Sequence, residues 1–226
     1  MRRFAKSRMA ARLQMMVSEQ RLSSALFSEI ASHLPLKDNV KVLDIGTGTG
    51  CQLEAIHDIH PSVQLFGLDI SKEAISLAKT IQRELPVDLR QGSIECTNYA
   101  DDFFDLVICN ASMSYWENII PGFNEIHRIL KPGGYAVLIE PHADIDVDQR
   151  LDTIRENMAD AHPLQRWLAV TLNRFGLKRG SRVGMRVYKI EEIETAIKQS
   201  LFKGNGSVEK ITLQRIPIFM KITLNK

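Results

Sequence analysis

Apolar residues recur in two rhythms along this chain, and the order of the rhythms predicts its architecture. Leu22, Leu26, Ile30 and Leu34 sit four apart, on one side of a helix over residues 21–34. Pro35 ends that helix, and Lys37-Asp38-Asn39 reads as a polar turn. Val40 to Ile45 is a short, mainly apolar run, the pattern of a strand covered on both faces. Helical spacing resumes from Thr49 through Leu53, Ile56 and Ile59, until Pro61 interrupts it. Residues 63–68 predict a second strand. Ser71 then caps a helix beginning near Lys72, with Ile75, Leu77, Ala78 and Ile81 on its apolar side. Val87 to Arg90 and Phe104 to Cys109 read as the third and fourth strands. Ile119, Phe123, Ile126 and Leu130 line a helix that stops at Pro132-Gly133, and Tyr135 to Ile139 forms a fifth strand.

Strand alternating with helix in this way predicts a mostly parallel sheet with helices on both faces. In such sheets ligands bind beyond the carboxyl ends of the strands. Asp44, Asp69, Gly92-Ser93-Ile94, Asn110 and Glu140 all fall at those ends. After Pro141 the rhythm changes: residues 144–175 read as mainly helical, 176–184 as a basic, glycine-punctuated loop and 190–202 as a helix. Val208, Ile211 and Leu213, then Ile218, Met220, Ile222 and Leu224, predict two terminal strands. No low-complexity linker separates a second domain. We therefore read residues 1–35 as an N-terminal helical segment or pocket lid and 36–226 as one domain, with a helical pocket embellishment around 144–185.

Composition narrows the picture only a little. Hydrophobic residues make up 44% of the chain and charged residues 25%, as in ordinary globular proteins. A net charge of +2 is too small to imply a nucleic-acid partner. The basic stretch Lys178-Arg179-Gly180-Ser181-Arg182 lacks the interleaved aromatics of a base-stacking surface. Cys51, Cys96 and Cys109 show neither paired nor zinc-binding spacing, which favours a reducing, cytoplasmic setting. No apolar run approaches the roughly 18 residues of a membrane span. The N-terminus interleaves Arg2, Arg3, Lys6, Arg8 and Arg12 with Ala5, Met9, Leu13 and Met16. It reads as an amphipathic lid or docking helix, with anionic-substrate capture and membrane-surface contact as alternatives. It has no long apolar segment of a secretory signal.

The most informative motif is Asp44-Ile45-Gly46-Thr47-Gly48-Thr49-Gly50, at the end of the first strand. Glycines at this spacing allow a tight turn and the close approach of a cofactor. Alone the motif fits a nicotinamide, flavin or S-adenosylmethionine site, or simply a tight strand-to-helix turn. Two further signals accompany it: Asp69, an acid ending the second strand, and Arg128-Ile129-Leu130-Lys131-Pro132-Gly133-Gly134, leading into the fifth.

Over residues 36–141 this set resembles the class I S-adenosylmethionine-dependent methyltransferases, most closely their small-molecule branch. The resemblance implies a Rossmann-like seven-stranded sheet, mostly parallel, with an antiparallel final strand. It implies S-adenosyl-L-methionine as cofactor, held by Asp44, Gly46, Thr47, Gly48 and Gly50. It further implies Asp69 on the ribose hydroxyls, Ile70 against adenine, Ser93 and Ile94 near the adenine edge and Asn110 near the methionine moiety. Gly92-Ser93 stands where Gly-Asp is common in the family. No Asn-Pro-Pro-Tyr segment follows the fourth strand, where the chain reads Asn110-Ala111-Ser112-Met113-Ser114-Tyr115-Trp116. That argues against an adenine or glutamine amide-nitrogen methylase.

Methyl transfer from a sulfonium needs alignment more than a fixed acid–base pair. Tyr115 and Trp116 are candidates for an acceptor-pocket wall, and core packing is their alternative role. Tyr115 is also a candidate catalytic group. His142, just after the fifth strand, is placed to accept a proton from an acceptor nucleophile. His162 and Arg166 fall in the tract expected to close the pocket. None of the six histidines has metal-ligand spacing, so no metal is expected. The leading expectation is methylation of a small-molecule acceptor. The alternatives are a non-catalytic cofactor-binding regulator or scaffold, an RNA or protein methyltransferase and, more remotely, a nicotinamide oxidoreductase. Neither the acceptor nor the oligomeric state is legible in the sequence.

Overall fold

The computed structural model describes residues 25–143, 152, 155–156, 186–213 and 216–226. The expected N-terminal basic helix lies outside the described residues, as do His162, Arg166 and the basic loop at 176–184. Of the tract 144–175 only residues 152, 155 and 156 are described, all helical.

The first helix, α1, covers residues 25–32. Then follow β1 (Lys41–Ile45), α2 (Cys51–Ile59), β2 (Gln64–Asp69), α3 (Lys72–Ile81), β3 (Val87–Gln91) and β4 (Phe104–Asn110). The second half holds α4 (Ile119–Ile129), β5 (Leu130–Pro141), α5 (Ile190–Gln199), β6 (Gly206–Leu213) and β7 (Ile216–Asn225). The caps follow the sequence. The Ser71 hydroxyl accepts from the Ala74 N–H at the start of α3, and the Asn118 side chain accepts from the Ile120 N–H at the start of α4.

One seven-stranded sheet runs in the order β3-β2-β1-β4-β5-β7-β6. β1 pairs in parallel with β2 and β4, β2 with β3, and β4 with β5, whereas β7 is antiparallel to both of its neighbours. This is the sheet expected from the family resemblance.

Strand alternation sends side chains into two cores. Val42, Leu106, Ile108, Val137 and Ile139 meet α1, α2 and α3 on one face. Leu43, Ile45, Val107, Cys109, Ala136 and Leu138 meet α4 and α5 on the other. On α4 the buried positions are Ile119, Gly122, Phe123, Ile126 and Ile129, a stripe at helical spacing. Each fully buried side chain of this kind contributes about 2 kcal/mol.

One expected boundary differs. The helix expected to stop at Pro132-Gly133 ends at Ile129, and Lys131 to Gly134 lies inside β5. Phe104 faces Leu130 while Leu106 faces Tyr135, so the extra residues bulge out of the ladder. Long-range bonds hold the bulge. The Gly133 N–H donates to the Lys226 carbonyl (3.1 Å), the Lys226 N–H donates to the Gly134 carbonyl (3.1 Å), and Lys131 Nζ bonds both Asp105 carboxylate oxygens (2.8 and 2.7 Å).

Candidate active site

The carboxyl ends of β1, β2, β4 and β5 converge, and the glycine turn occupies the first of them. Gly46, Gly48 and Gly50 have φ of 72°, 55° and 83°, in the left-handed region that glycine adopts without strain. The Gly46 and Thr47 N–H groups donate to the Leu68 carbonyl (2.7 and 3.1 Å), so the turn is tied to the end of β2. Asp69 lies between two segments. Its Oδ2 accepts the Gly48 N–H (3.0 Å) and its Oδ1 accepts the Ser71 N–H (2.8 Å). One half-buried carboxylate thus fixes both the glycine turn and the start of α3. Thr47 is buried, and Gly50 opens α2 directly behind the turn.

Asp44 is 3% exposed beneath the turn. Burial pushes its carboxyl up to about 7; Thr47 opposes the rise and the Asp69 charge adds to it. The folded protein therefore holds a proton that the unfolded chain sheds near pH 4. The stability from this site is complete below that pH and is lost as pH rises through about 7, a swing of about 4 kcal/mol.

Beside Asp69, Ile70 is 72% exposed, an unusual position for a large aliphatic side chain. The Gly92 N–H donates to the Asp69 carbonyl (3.0 Å), which brings the loop after β3 alongside. Ser93 is half-buried there, and its hydroxyl accepts the Glu95 N–H (3.2 Å). Ile94 is placed differently: its side chain is 4% exposed and packs in the α4-side core.

At the end of β4, the Asn110 amide donates to Gln52 (2.9 Å), and Gln52 in turn donates to the Phe27 carbonyl of α1 (3.2 Å). Ser112 donates to the Ile45 carbonyl (3.1 Å), which joins the β4 turn to the glycine turn. Met113 to Tyr115 form one turn of 3-10 helix that leaves Tyr115 60% exposed. Trp116, expected beside Tyr115 as a pocket wall, packs edge-on to Phe123 at 6.3 Å and over Gly122. Its packing role is thus visible in the contacts.

Glu140, next to last in β5, is 1% exposed. Its Oε1 accepts from the Ser112 N–H and the Met113 N–H, both at 2.8 Å, and Ser114 donates to Oε2 at 3.5 Å. Burial pushes this carboxyl up to about 7 against the lowering by those donors. Cys109, beside it, is held well above the usual thiol range by burial and then by Glu140, so it remains a neutral thiol. His142 is 3% exposed at the end of β5, where the chain bridges to Tyr188 and the Ala143 N–H donates to the Tyr188 carbonyl (2.8 Å). The Arg186 N–H donates to the Ser114 carbonyl (2.9 Å). The segment entering α5 therefore also abuts the β4 turn.

Gln52 and Ser112 were absent from the residues expected to build the site, and Glu140 was placed among the strand-end residues without a role. Glu140 alone left a trace in the sequence, as an acid closing the apolar run Tyr135 to Ile139.

The family described as methyltransferase domain matches residues 43–138. A demethylmenaquinone methyltransferase of Chlorobaculum parvum is 34% identical over 102 residues, 45% of this chain and 41% of that protein. An uncharacterized methyltransferase of Bacillus subtilis, YdaC, is 31% identical over 121 residues, 53% of this chain and 67% of that protein. The chain is a class I S-adenosylmethionine-dependent methyltransferase by family. The chain spans about two fifths of the length of the demethylmenaquinone methyltransferases it matches first. Its fold also matches a geranyl diphosphate methyltransferase solved with S-adenosylmethionine, with a TM-score of 0.67 at 14% identity over 95% of this chain and 89% of the other. S-adenosylmethionine is the cofactor of this family. The strand ends suit it: left-handed glycines leave the turn open, carboxylates stand at Asp44 and Asp69, and Ile70 presents an apolar surface. Among the described residues no helix is long and apolar enough to cross a membrane.

Proposed function

We propose that this methyltransferase transfers a methyl group from S-adenosylmethionine to a small-molecule acceptor bound beside the β4 turn. The reading rests chiefly on one juxtaposition. Ser112 hydrogen-bonds the carbonyl of Ile45, at the edge of the glycine turn, while Tyr115 of the same turn stands 60% exposed. On this reading the cofactor surface and the acceptor surface lie side by side. Relatives and fold neighbours named as demethylmenaquinone and geranyl diphosphate methyltransferases lend weight to a small, apolar-tailed acceptor class.

When bound, S-adenosylmethionine would supply an electrophilic methyl group on a sulfonium, and its transfer to an electron pair on the acceptor's oxygen, nitrogen or carbon would leave the neutral thioether. In this reading Asp69 accepts from the ribose hydroxyls, Ile70 and Ser93 flank adenine, and Asp44 with Asn110 and the turn of Gly46, Thr47, Gly48 and Gly50 holds the amino-acid end. Ile94 supports that wall from the core. Tyr115 orients the acceptor, with Trp116 buttressing it from behind. His142 takes the acceptor's proton where the nucleophile carries one.

Asp44 gives this reading a pH signature. Below about pH 7 its carboxyl is neutral and attracts the cofactor's ammonium group poorly; above it the charge is restored. Binding of S-adenosylhomocysteine is therefore expected to be about tenfold weaker at pH 6 than at pH 8. Calorimetry checks this, and Asp44→Asn should flatten the profile. A wild-type affinity independent of pH would remove Asp44 from the ammonium site.

The deciding experiment is transfer of isotopically labelled methyl from S-adenosylmethionine into a small-metabolite extract, with total RNA and protein assayed in parallel. Label in a metabolite supports the proposal and identifies the acceptor; label confined to RNA or protein overturns the small-molecule assignment. Once the acceptor is known, His142→Ala should lower turnover by more than tenfold while cofactor affinity changes less than threefold, a proton-transfer contribution of ordinary size.

A further inference from the structure

Glu140 is 1% exposed and, apart from the Cys109 thiol at 3.5 Å, spends its carboxylate on the single turn that follows β4. Three of its contacts go to consecutive residues of that turn: the N–H groups of Ser112 and Met113 and the hydroxyl of Ser114. The turn needs holding. Ala111 has a φ of 51°, in the left-handed region that a Cβ disfavours, and its N–H is bonded to the Ile139 carbonyl at 2.9 Å. A strained residue persists only where its surroundings fix it, and here the end of β5 supplies both fixings. On its other side, Ser112 donates to the Ile45 carbonyl (3.1 Å) and packs directly against Gly46.

We propose that Glu140 is the positioning residue of the acceptor side: it clamps the Ala111–Tyr115 turn in its strained form and, through Ser112, couples that turn to the cofactor's glycine loop. The proposal rests on reading the β4 turn as the acceptor wall. Cofactor bound to the glycine loop then stiffens the turn, and Tyr115 is set before the acceptor arrives. Reach, rather than charge, is what the clamp requires. Both backbone N–H groups are received by one oxygen, and an amide oxygen at the same point serves as well as a carboxylate oxygen. A carboxylate one methylene shorter does not reach.

Hydrogen exchange of the full-length protein, read by mass spectrometry with and without S-adenosylhomocysteine, tests both halves without an acceptor. In Glu140→Asp the amides of Ser112 and Met113 should exchange at least tenfold faster than in wild type, while Leu43 and Leu138 in the strands change less than twofold. Glu140→Gln should keep the turn within threefold of wild type. Should Glu140→Asp not fold, Ser114→Ala, which removes the hydroxyl contact alone, is expected to speed exchange of the turn about threefold. S-adenosylhomocysteine should slow the turn amides at least fivefold in wild type but not in Ser112→Ala, whose clamp to Glu140 is intact.

Faster exchange spread equally over β1 and β5 marks Glu140 as a general stabilising residue and overturns the proposal. So does the reverse order, with Gln loose and Asp tight, or unchanged slowing in Ser112→Ala. The two readings fail separately. Absence of S-adenosylhomocysteine binding in wild type, seen by calorimetry, sinks the cofactor assignment and the coupling, while the Asp–Gln contrast still decides the clamp. Absence of any methylated metabolite leaves the exchange pattern untouched.

Discussion

Asp69→Ala is expected to weaken S-adenosylhomocysteine binding by on the order of 100-fold in a protein that remains folded. In the proposed arrangement the carboxylate accepts two hydrogen bonds from the ribose, and bonds to a charged partner contribute roughly 1.5–3 kcal/mol each. Even the lower figure, doubled, gives about 3 kcal/mol, or a little over two decades in affinity. The same carboxylate accepts the Gly48 and Ser71 N–H groups, so its loss also frees the glycine turn and the first turn of α3. These effects act in one direction. Asp69→Asn separates them: its amide oxygen retains one acceptor, and the loss should shrink to about tenfold. Calorimetry with each purified variant, after circular dichroism has established the fold, is the measurement. Unchanged affinity in folded Asp69→Ala would falsify the cofactor assignment at the end of β2.

The reason Asp69 stood out in the sequence is the reason the sheet did. Buried parallel strands are written as short apolar runs, and a polar residue closing such a run marks where the strand leaves the core. β1, β2, β4 and the last part of β5 were legible in this way, together with the helices that periodicity placed between them. Features made by distant partners were not. Lys131 to Gly134 carries a proline and two glycines and reads as a turn, yet it lies in a strand because Lys226 at the chain's end bonds both glycines. Ile94 reads as part of a loop against adenine, but the pairing of β2 and β3 directs it into the core beside Leu68. Trp116 reads as a pocket wall until Gly122, six residues on, offers it a flat place to pack. Glu140 was visible as a strand-end acid, while its purpose depends on β4 and β5 pairing so that Asn110 lies opposite Ile139. That register sets the carboxylate under the amides of Ser112 and Met113, a relation no local pattern encodes.

Gly46→Ala is expected to lower the stability of the protein by about 3 kcal/mol, from two independent causes. An alanine held at the observed φ of 72° is strained by roughly 1–2 kcal/mol. Its Cβ would also lie 2.2 Å from the Ser112 hydroxyl and 2.3 Å from the Ser112 Cβ, atoms too near the backbone to swing aside. Overpacking of that kind costs about 1–3 kcal/mol. For a chain of this size the sum corresponds to a fall in Tm of roughly 6–12 °C. The second cause can be removed at its source. Ser112→Gly deletes both clashing atoms and leaves the Cα, 3.8 Å away, as the nearest contact. The double variant should therefore recover the steric part and keep the φ strain, giving a favourable coupling of about 1–2 kcal/mol in a thermal-unfolding mutant cycle. Strict additivity would mean that the two turns yield past one another and that their contact carries no energy. A favourable coupling would mean that the glycine at Gly46 serves two partners at once: it keeps the cofactor loop unstrained, and it makes the room in which Ser112 joins that loop to the turn bearing Tyr115.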